Sequence, residues 1–589
     1  MSDKIAEIRE YLASDDAAAW VTNLWINYNN QRQGKLNEWE ELRNYVFATD
    51  TSTTSNAKLP WKNSTTLPKL CQIRDNLHSN YLSALFPNDD WLVWEGYSQE
   101  DSVKKKRDAI QSYMKNKTRE GHFRIEMSRL LYDYIDYGNA FATVSFESRY
   151  KEEKDGTKIP GYIGPRLHRI SPLDIVFNPL SSSFLTSFKI IRSIKTIGEL
   201  KKQAMVEPEN AYLASAMASR DRLSSNLGGY SREDFQKAVG YDVDGFGNLH
   251  EYYSSGYVEL LEFYGDYHDK VTGQLYTNQI ITIMDRCHII RQEDIPSWFG
   301  YAPIFHVGWR LRPDNMWAMG PLDNLVGMQY RIDHLENLKA DAMDLSVHPP
   351  LVIQGEVEEF IYGPGVEIHI DADGGVTELG KNLNGVIAAA NEIEMLEARM
   401  ELYAGAPREA MGIRSPGEKT MFEVAQLQNA SGRIFQEKIN MFEMELEEPA
   451  LNSMFESAKR NMDGFDLIRV MDDDLGVEQI RSITREDITA AGKLRPIGAR
   501  HFAAQAQLLQ NLSGVFNGTI GQMIMPHTSS IQLASLIEDA MGIAKYDLFK
   551  PNVAVFEQQQ TQRLVSQAQE DLAVEQATPA DGAMPTGTL

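Results

Sequence analysis

Apolar side chains recur at steps of three and four through GPLDNLVGMQYRIDHLENLKADAMDLSVHPP, at Leu322, Leu325, Ile332, Leu335, Leu338, Ala342 and Leu345. That spacing puts them on one stripe and predicts a helix over 320–346. The stretch LNGVIAAANEIEMLEARMELYAG repeats the pattern through Leu383, Val386, Ala390, Ile393, Leu396, Met400 and Tyr403. Gly405 follows as a stop, which predicts a second helix over 381–404. Between them, residues 347–380 hold the alternating runs LVIQ and VEIHI around Gly363, Pro364 and Gly365, the signature of a small β hairpin module. Two striped helices and a compact insertion describe a rod that goes out and comes back, its two stripes zipped together.

Beyond the rod, Gly405, Pro407, Gly412, Pro416 and Gly417 break both helix and strand and predict a loop over 405–419. GIRSPGEKT, at 412–420, comes close to a phosphate-binding loop, but Glu418 intrudes between Gly417 and Lys419, where its carboxylate would face phosphate oxygens. The same residues start a helix well. Ser415 is an N-cap, Pro416 suits the first helical position and Glu418 completes a capping box; Thr420 with Glu423 offers a second. One long helix is expected from Thr420 to Met462.

Upstream, residues 1 to 150 read as mainly helical, whereas from 140 to 310 FATVSF, KIIRSIKT, YVELLEFYGDY, QIITIMD and APIFHVGW read as strands. A helical stretch from Glu199 to Arg232 interrupts them. RISPLDIVFNPLSSSF contains two X-Pro units and is expected to be a surface loop. After Met462 come the strand FDLIRVMD, a mixed stretch to 495, and helices within GARHFAAQAQLLQNLSGVF, TSSIQLASLIEDAMGI and QQTQRLVSQAQEDLAVEQ. The tail at 577–589 has too little apolar area to order. The expected fold class is α+β, mainly helical.

Composition narrows the function. At 589 residues and 42% apolar content, several domains are expected. Cys71 and Cys287 make no disulfide framework or metal spacing, which fits a reducing compartment. No apolar run reaches about eighteen residues, so no membrane span is expected, and the first twenty residues are charged and amphipathic, unlike a signal peptide. A net charge of -25 argues against holding nucleic acid by neutralising phosphates, though not against a surface past which DNA slides. The one basic run, Lys104, Lys105, Lys106 and Arg107 with Lys115, Lys117 and Arg119, is either a solvated helix face or a patch for DNA or a partner.

Candidate chemistry is sparse. Asp242 and Asp244 meet Phe246 where a calcium loop needs oxygen, and Asp371 and Asp373 lack the spacing to Gly and Glu. With no HExxH, GxSxG or paired Cys/His set, neither catalysis nor a cofactor or metal is expected. The insertion is more informative: Glu356, Glu358, Glu359, Glu367, Asp371, Asp373 and Glu378 stand there without one Lys or Arg. This is a solvated acidic loop or, repeated around a ring, an acidic collar for a basic partner.

In order and spacing, ISPLDIVFNP at 170–179, RLRPDNMWAMGPLDNLVGMQYRIDHLENLKADA at 310–342, HPPLVIQ at 348–354 and GAPREAMGIRSPGEKTMFEVAQLQN at 405–429 resemble the portal, or head-to-tail connector, proteins of tailed bacteriophages. Together they look like the long-chain portals of short-tailed phages, and the resemblance in order spans most of residues 60–550. It implies a dodecameric ring at one capsid vertex, assembled in the host cytoplasm. Residues 1–319 would be a mixed α/β wing, 320–346 and 381–404 the stem, 347–380 the clip and 405–419 the channel loop. A long wing helix with return strands would fill 420–499, a helical crown or barrel 500–576, and a disordered tail 577–589. Implied partners are double-stranded DNA in the channel without sequence preference, the terminase large subunit, the major capsid and scaffolding proteins, and tail adaptors.

On that reading the polar faces of the stem, with Asp333, Glu336, Asp341, Glu392, Glu394, Glu397 and Glu401, form a phosphate-repelling channel wall. A helix of about 26 residues would be about 39 Å long, enough to cross a capsid shell. Arg408, Arg414 and Lys419 would touch DNA transiently, unless Glu409 and Glu418 satisfy them in an ordered turn. Glu356, Glu358, Glu359 and Glu367 would dock the packaging motor. The alternatives are another structural ring of the virion, such as a tail adaptor, and a nucleotide-dependent enzyme, which would need an intact phosphate loop.

Overall fold

A computed structural model describes residues 16–48, 50–59, 62–87, 91–97, 101–152, 158–206, 210–225, 256–269, 273–295, 300–347, 351–354, 375–378, 384–405, 434–462, 465–472 and 477–496. The chain divides into two compact units, residues 1–470 with 480–498 and residues 471–479 with 499–589; almost all described residues belong to the first. That unit mixes helices with open sheets, an α+β architecture.

The β-branched runs read from the sequence become an antiparallel sheet of five strands in the order Ile175–Phe177, Lys189–Thr196, Tyr257–His268, Leu275–Met284 and His288–Asp294. Period-two alternation decides its two faces. From Tyr257–His268, Val258 and Leu260 pack under helices Ile197–Val206 and Ala211–Ser225 through Leu200, Leu213 and Ala216. Leu261 and Phe263 point the other way, onto Ala17, Val21 and Trp25 of helix Asp16–Gln31. The turn joining the last two strands takes φ of 52° at Asp285 and 60° at Arg286, a conformation that costs about 1–2 kcal/mol per non-glycine residue. Two buried ion pairs hold it: Arg286 to Glu259 at 2.7 Å and Arg220 to Asp285 at 2.5 Å.

The segment expected to be a surface loop departs from that reading. Pro172–Asp174 forms a short 3-10 turn, and Ile175–Phe177 pairs with Lys189–Ile191 as the edge of the sheet, all three residues buried. Three consecutive apolar residues between two prolines gain more by burial than the prolines cost at an edge. Trp39, Phe141, Phe177, Ile304 and Trp317 join this edge to the three-stranded sheet Lys158–Ile170, Asn139–Glu152 and Ile304–Gly308.

Helices Lys69–Leu85 and Phe123–Asp136 pack together and receive the described part, 434–461, of the long helix expected from Thr420 to Met462. Tyr81 stacks on Phe435, and the Tyr134 hydroxyl donates to the Lys438 carbonyl. That helix is not regular: Glu443–Glu447 is a π turn just before Pro449. Proline lacks an N–H and its ring collides with the carbonyl four residues back, so a widened turn absorbs it without breaking the rod. The strand Leu92–Gly96 pairs with Gly492–Pro496, and only glycine fits at 492, where a Cβ would lie 2.4 Å from the Trp94 ring. FDLIRVMD is the strand Phe465–Asp472, paired with Val477–Thr484.

The two striped helices are present as Val326–Val347 and Asn384–Tyr403. The first starts later than its pattern suggested because residues 320–325 turn, with Asp323 accepting from the Gly320 N–H and from Lys35. Between the helices, Leu351–Gln354 pairs antiparallel with Gly375–Glu378, so the partner of LVIQ is GVTE; VEIHI lies outside the described residues. The capping boxes at Ser415 and Thr420 also lie outside them.

Candidate functional site: a clamped helical hairpin

The helices Val326–Val347 and Asn384–Tyr403 pack as a hairpin, tied across by Arg331 and Glu392 at 3.2 Å. Its inner stripe is well buried near the base, at Leu322, Leu325, Ile332, Leu335, Ile393 and Met400. Toward the other end apolar side chains are uncovered: Leu338 and Leu345 of the stripe are exposed, Leu345 by 57%, and off the stripe Val347 is 71% exposed, Ile387 61%, with Met343 and Met395 exposed as well. Leu402, near the base, is exposed as well.

A polar row runs along the first helix at intervals of four: Gln329, Asp333, Asn337 and Asp341. It does not face open space. The extended residues 62–67 lie along it as a strap, offering alternate backbone groups to successive side chains. Gln329 donates to the Leu67 carbonyl at 2.7 Å, and Asp333 accepts from the Leu67 N–H at 2.9 Å. Asn337 closes a two-bond ring with Thr65, accepting from its N–H at 2.8 Å and donating to its carbonyl at 3.0 Å. Asp341 takes the N–H groups of Asn63 and Lys62, and Asp344 accepts from the Asn63 amide. Four helical residues rise about 6 Å and two extended residues about 6.6 Å, so the repeats stay in step from Asp333 with Leu67 through Asn337 with Thr65 to Asp341 with Asn63.

The strap leads directly into helix Lys69–Leu85, whose first residue grips the second helix of the hairpin. Buried Lys69 lies 2.6 Å from Glu401 and 3.6 Å from Glu397. One short segment therefore holds both helices. Burial pushes the Asp333 carboxyl up to about 7, against the opposing pull of the Leu67 N–H and Gln329. At Asp341 burial acts the same way, but the N–H groups of Asn63 and Lys62 outweigh it and hold the carboxyl below its usual value.

Two residues of the expected acidic wall are turned inward instead. Asp333 and Glu401 are buried and present no carboxylate to solvent. Asp341 is committed to the strap, Glu397 to Lys69, Glu336 to Lys339 at 2.5 Å and Glu392 to Arg331. Of the seven, Glu394 is the exposed one. Gln329, Asn337 and Lys69 were missed by sequence reasoning, although neutral amides repeating at four-residue steps beside carboxylates signal hydrogen bonding to a backbone better than a charged wall. Arg408, Arg414 and Lys419, and Glu356, Glu358, Glu359 and Glu367, lie outside the described residues.

The basic run also divides. Lys117 is buried and pairs with Asp466 at 2.5 Å, and Lys106 donates to the carbonyls of Glu486 and Thr489. Arg107, Lys115 and Arg119 remain exposed. Elsewhere Ser145 and Glu147 both approach Nε2 of His168, at 2.9 and 2.8 Å. A hydrolytic relay needs acid and nucleophile on opposite ring nitrogens, so this trio is a cross-strand contact. Among the described residues no group of three metal-ligating side chains comes together and no helix is long and apolar enough to cross a membrane. No protein-family model matches this chain, and no curated protein matches it in sequence.

Proposed function

We propose that this chain is the subunit of a phage portal: a ring at one capsid vertex that conducts double-stranded DNA and docks the packaging motor and tail adaptors. The observation that carries the reading is the hairpin strapped along its first helix, with apolar side chains left uncovered toward its far end. Its helices, of 22 and 20 residues, extend about 33 and 30 Å, a length suited to a stem through a shell. Uncovered Leu345, Val347, Ile387 and Leu402, each already partly buried, would each gain about 1–2 kcal/mol if fully buried. A ring buries them on a different face of the next subunit, and a rotation that closes leaves none of them over. The order of wing, stem, clip, loop and crown read from the sequence fits the same arrangement.

Native mass spectrometry of the purified chain is expected to give one large closed assembly, the dodecamer. Leu345→Asp with Ile387→Asp is expected to shift it to monomer while the circular dichroism spectrum stays unchanged. A wild-type chain that remains monomeric across concentration and salt overturns the ring. Gold-labelled antibody on particles should mark a single vertex; labelling along a tail, or none, overturns the portal assignment while leaving a ring standing.

A further inference from the structure

A cleft of about 260 Å³ opens where three separate elements meet: the junction of the first two helices, the edge strand with the turn after it, and the hairpin Arg310–Met319. Its floor is apolar, built from Val176, Phe177 and Trp317, all buried. Leu180 stands at the mouth, 77% exposed, a large aliphatic side chain that gains nothing from its present position. The charged residues of the lining are Arg32, Lys35 and Arg312, three cations and no carboxylate, in a chain of net charge -25.

The cations are not equivalent. Arg32 turns its guanidinium inward to the carbonyls of Pro172, Leu173 and Ile175 and to Asn29, which fixes the cleft wall. Lys35 is held by Asp323 at 3.2 Å and Glu38 at 3.8 Å. Arg312 is exposed and makes no ion pair among the described residues. A free guanidinium therefore stands on the lip of an apolar pit, presenting a planar fork that matches a carboxylate.

Volume limits the occupant. The cleft falls just below the range of about 300–1,000 Å³ usual for cofactor-sized ligands, and a duplex has no way into it. It suits one apolar side chain and its immediate neighbours. We propose that this cleft is a docking socket for a protein segment in which an aliphatic or aromatic side chain stands next to a carboxylate, the side chain seated on Phe177 and Trp317 and the carboxylate on Arg312. Charge complementarity favours such an acidic segment over nucleic acid, because the single free cation offers one contact where a phosphate backbone requires a row of them. The socket does not depend on the ring assignment.

Panning a random heptapeptide display library on the full chain, with the Arg312→Glu chain as counter-selection, tests it. Enriched peptides are expected to carry Leu, Ile or an aromatic residue beside Asp or Glu. Fluorescein-labelled copies should lose about tenfold or more in affinity, by anisotropy, to Arg312→Glu and to Leu180→Asp. Both positions are exposed, and unchanged melting midpoints should accompany the loss. Enrichment without acidic residues, or binding indifferent to both substitutions, overturns the proposal. So does a fluorescein-labelled oligothymidine that binds in an Arg312-dependent way and displaces the peptides, which assigns the site to nucleic acid.

Discussion

Asp333 holds a proton near neutrality because burial opposes its ionisation, and its Oδ2 atom finds no hydrogen-bond partner among the described residues. Its folded pKa, about 7, lies above the ordinary value of 3.8. Between those values the folded chain keeps a proton that the unfolded chain has released. Stability contributed by this group is therefore greatest at the acidic end of that window, falls as pH rises through it, and levels off above. Asparagine keeps the oxygen that receives the Leu67 N–H and removes the titration. The wild-type melting midpoint should fall between pH 5 and pH 8 by a few degrees more than that of Asp333→Asn, on the order expected for a kcal/mol or two. Parallel pH profiles for the two proteins would show that the carboxyl is already ionised in the fold. Amide exchange at Leu67 gives a local readout of the same event.

The clamp on the hairpin is an element-scale device, and Lys69 is its buried ion-pair contact to the second helix. Removing one partner of a buried ion pair costs about 3–5 kcal/mol, whereas replacing both with apolar groups costs far less. Lys69→Met should thus destabilise the chain strongly in urea unfolding, and Lys69→Met with Glu401→Leu should recover about 2 kcal/mol relative to the sum of the single losses. Strict additivity would mean that the 2.6 Å contact contributes nothing to the coupling. The hairpin itself was legible, because an apolar stripe at 3.6-residue spacing reports its own geometry. So were the strands KIIRSIKT and YVELLEFYGDY, rich in β-branched and aromatic residues that suit a pleated surface. What Asp333 and Asp341 face was not legible. Their partners lie 266 and 278 residues away in sequence, and no local pattern distinguishes a carboxylate aimed at water from one aimed at a distant backbone. Ile175–Phe177 was misread for a related reason: the flanking prolines are local signals, while the strand that covers it begins at Lys189.

Across the whole molecule, an excess of 25 negative charges keeps copies apart in solution and must be overcome wherever they assemble. On the portal reading, apolar stem surfaces supply that attraction, and the acidic insertion is left to recruit a basic partner. Reversing Glu356, Glu358 and Glu359 to Lys should then weaken motor docking and flatten its salt dependence with the assembly intact. Equal affinity at low ionic strength would remove charge from the account. The matched repeats of strap and helix carry a mechanical consequence. A slip of one strap residue would turn Ser64 and Thr66 toward the row in place of Asn63, Thr65 and Leu67, with every bond out of register at once. Only a jump of a full repeat, about 6 Å, restores them. The strap and helix mesh like a toothed rack, so a pull along the hairpin passes to helix Lys69–Leu85 without backlash until all the teeth part together.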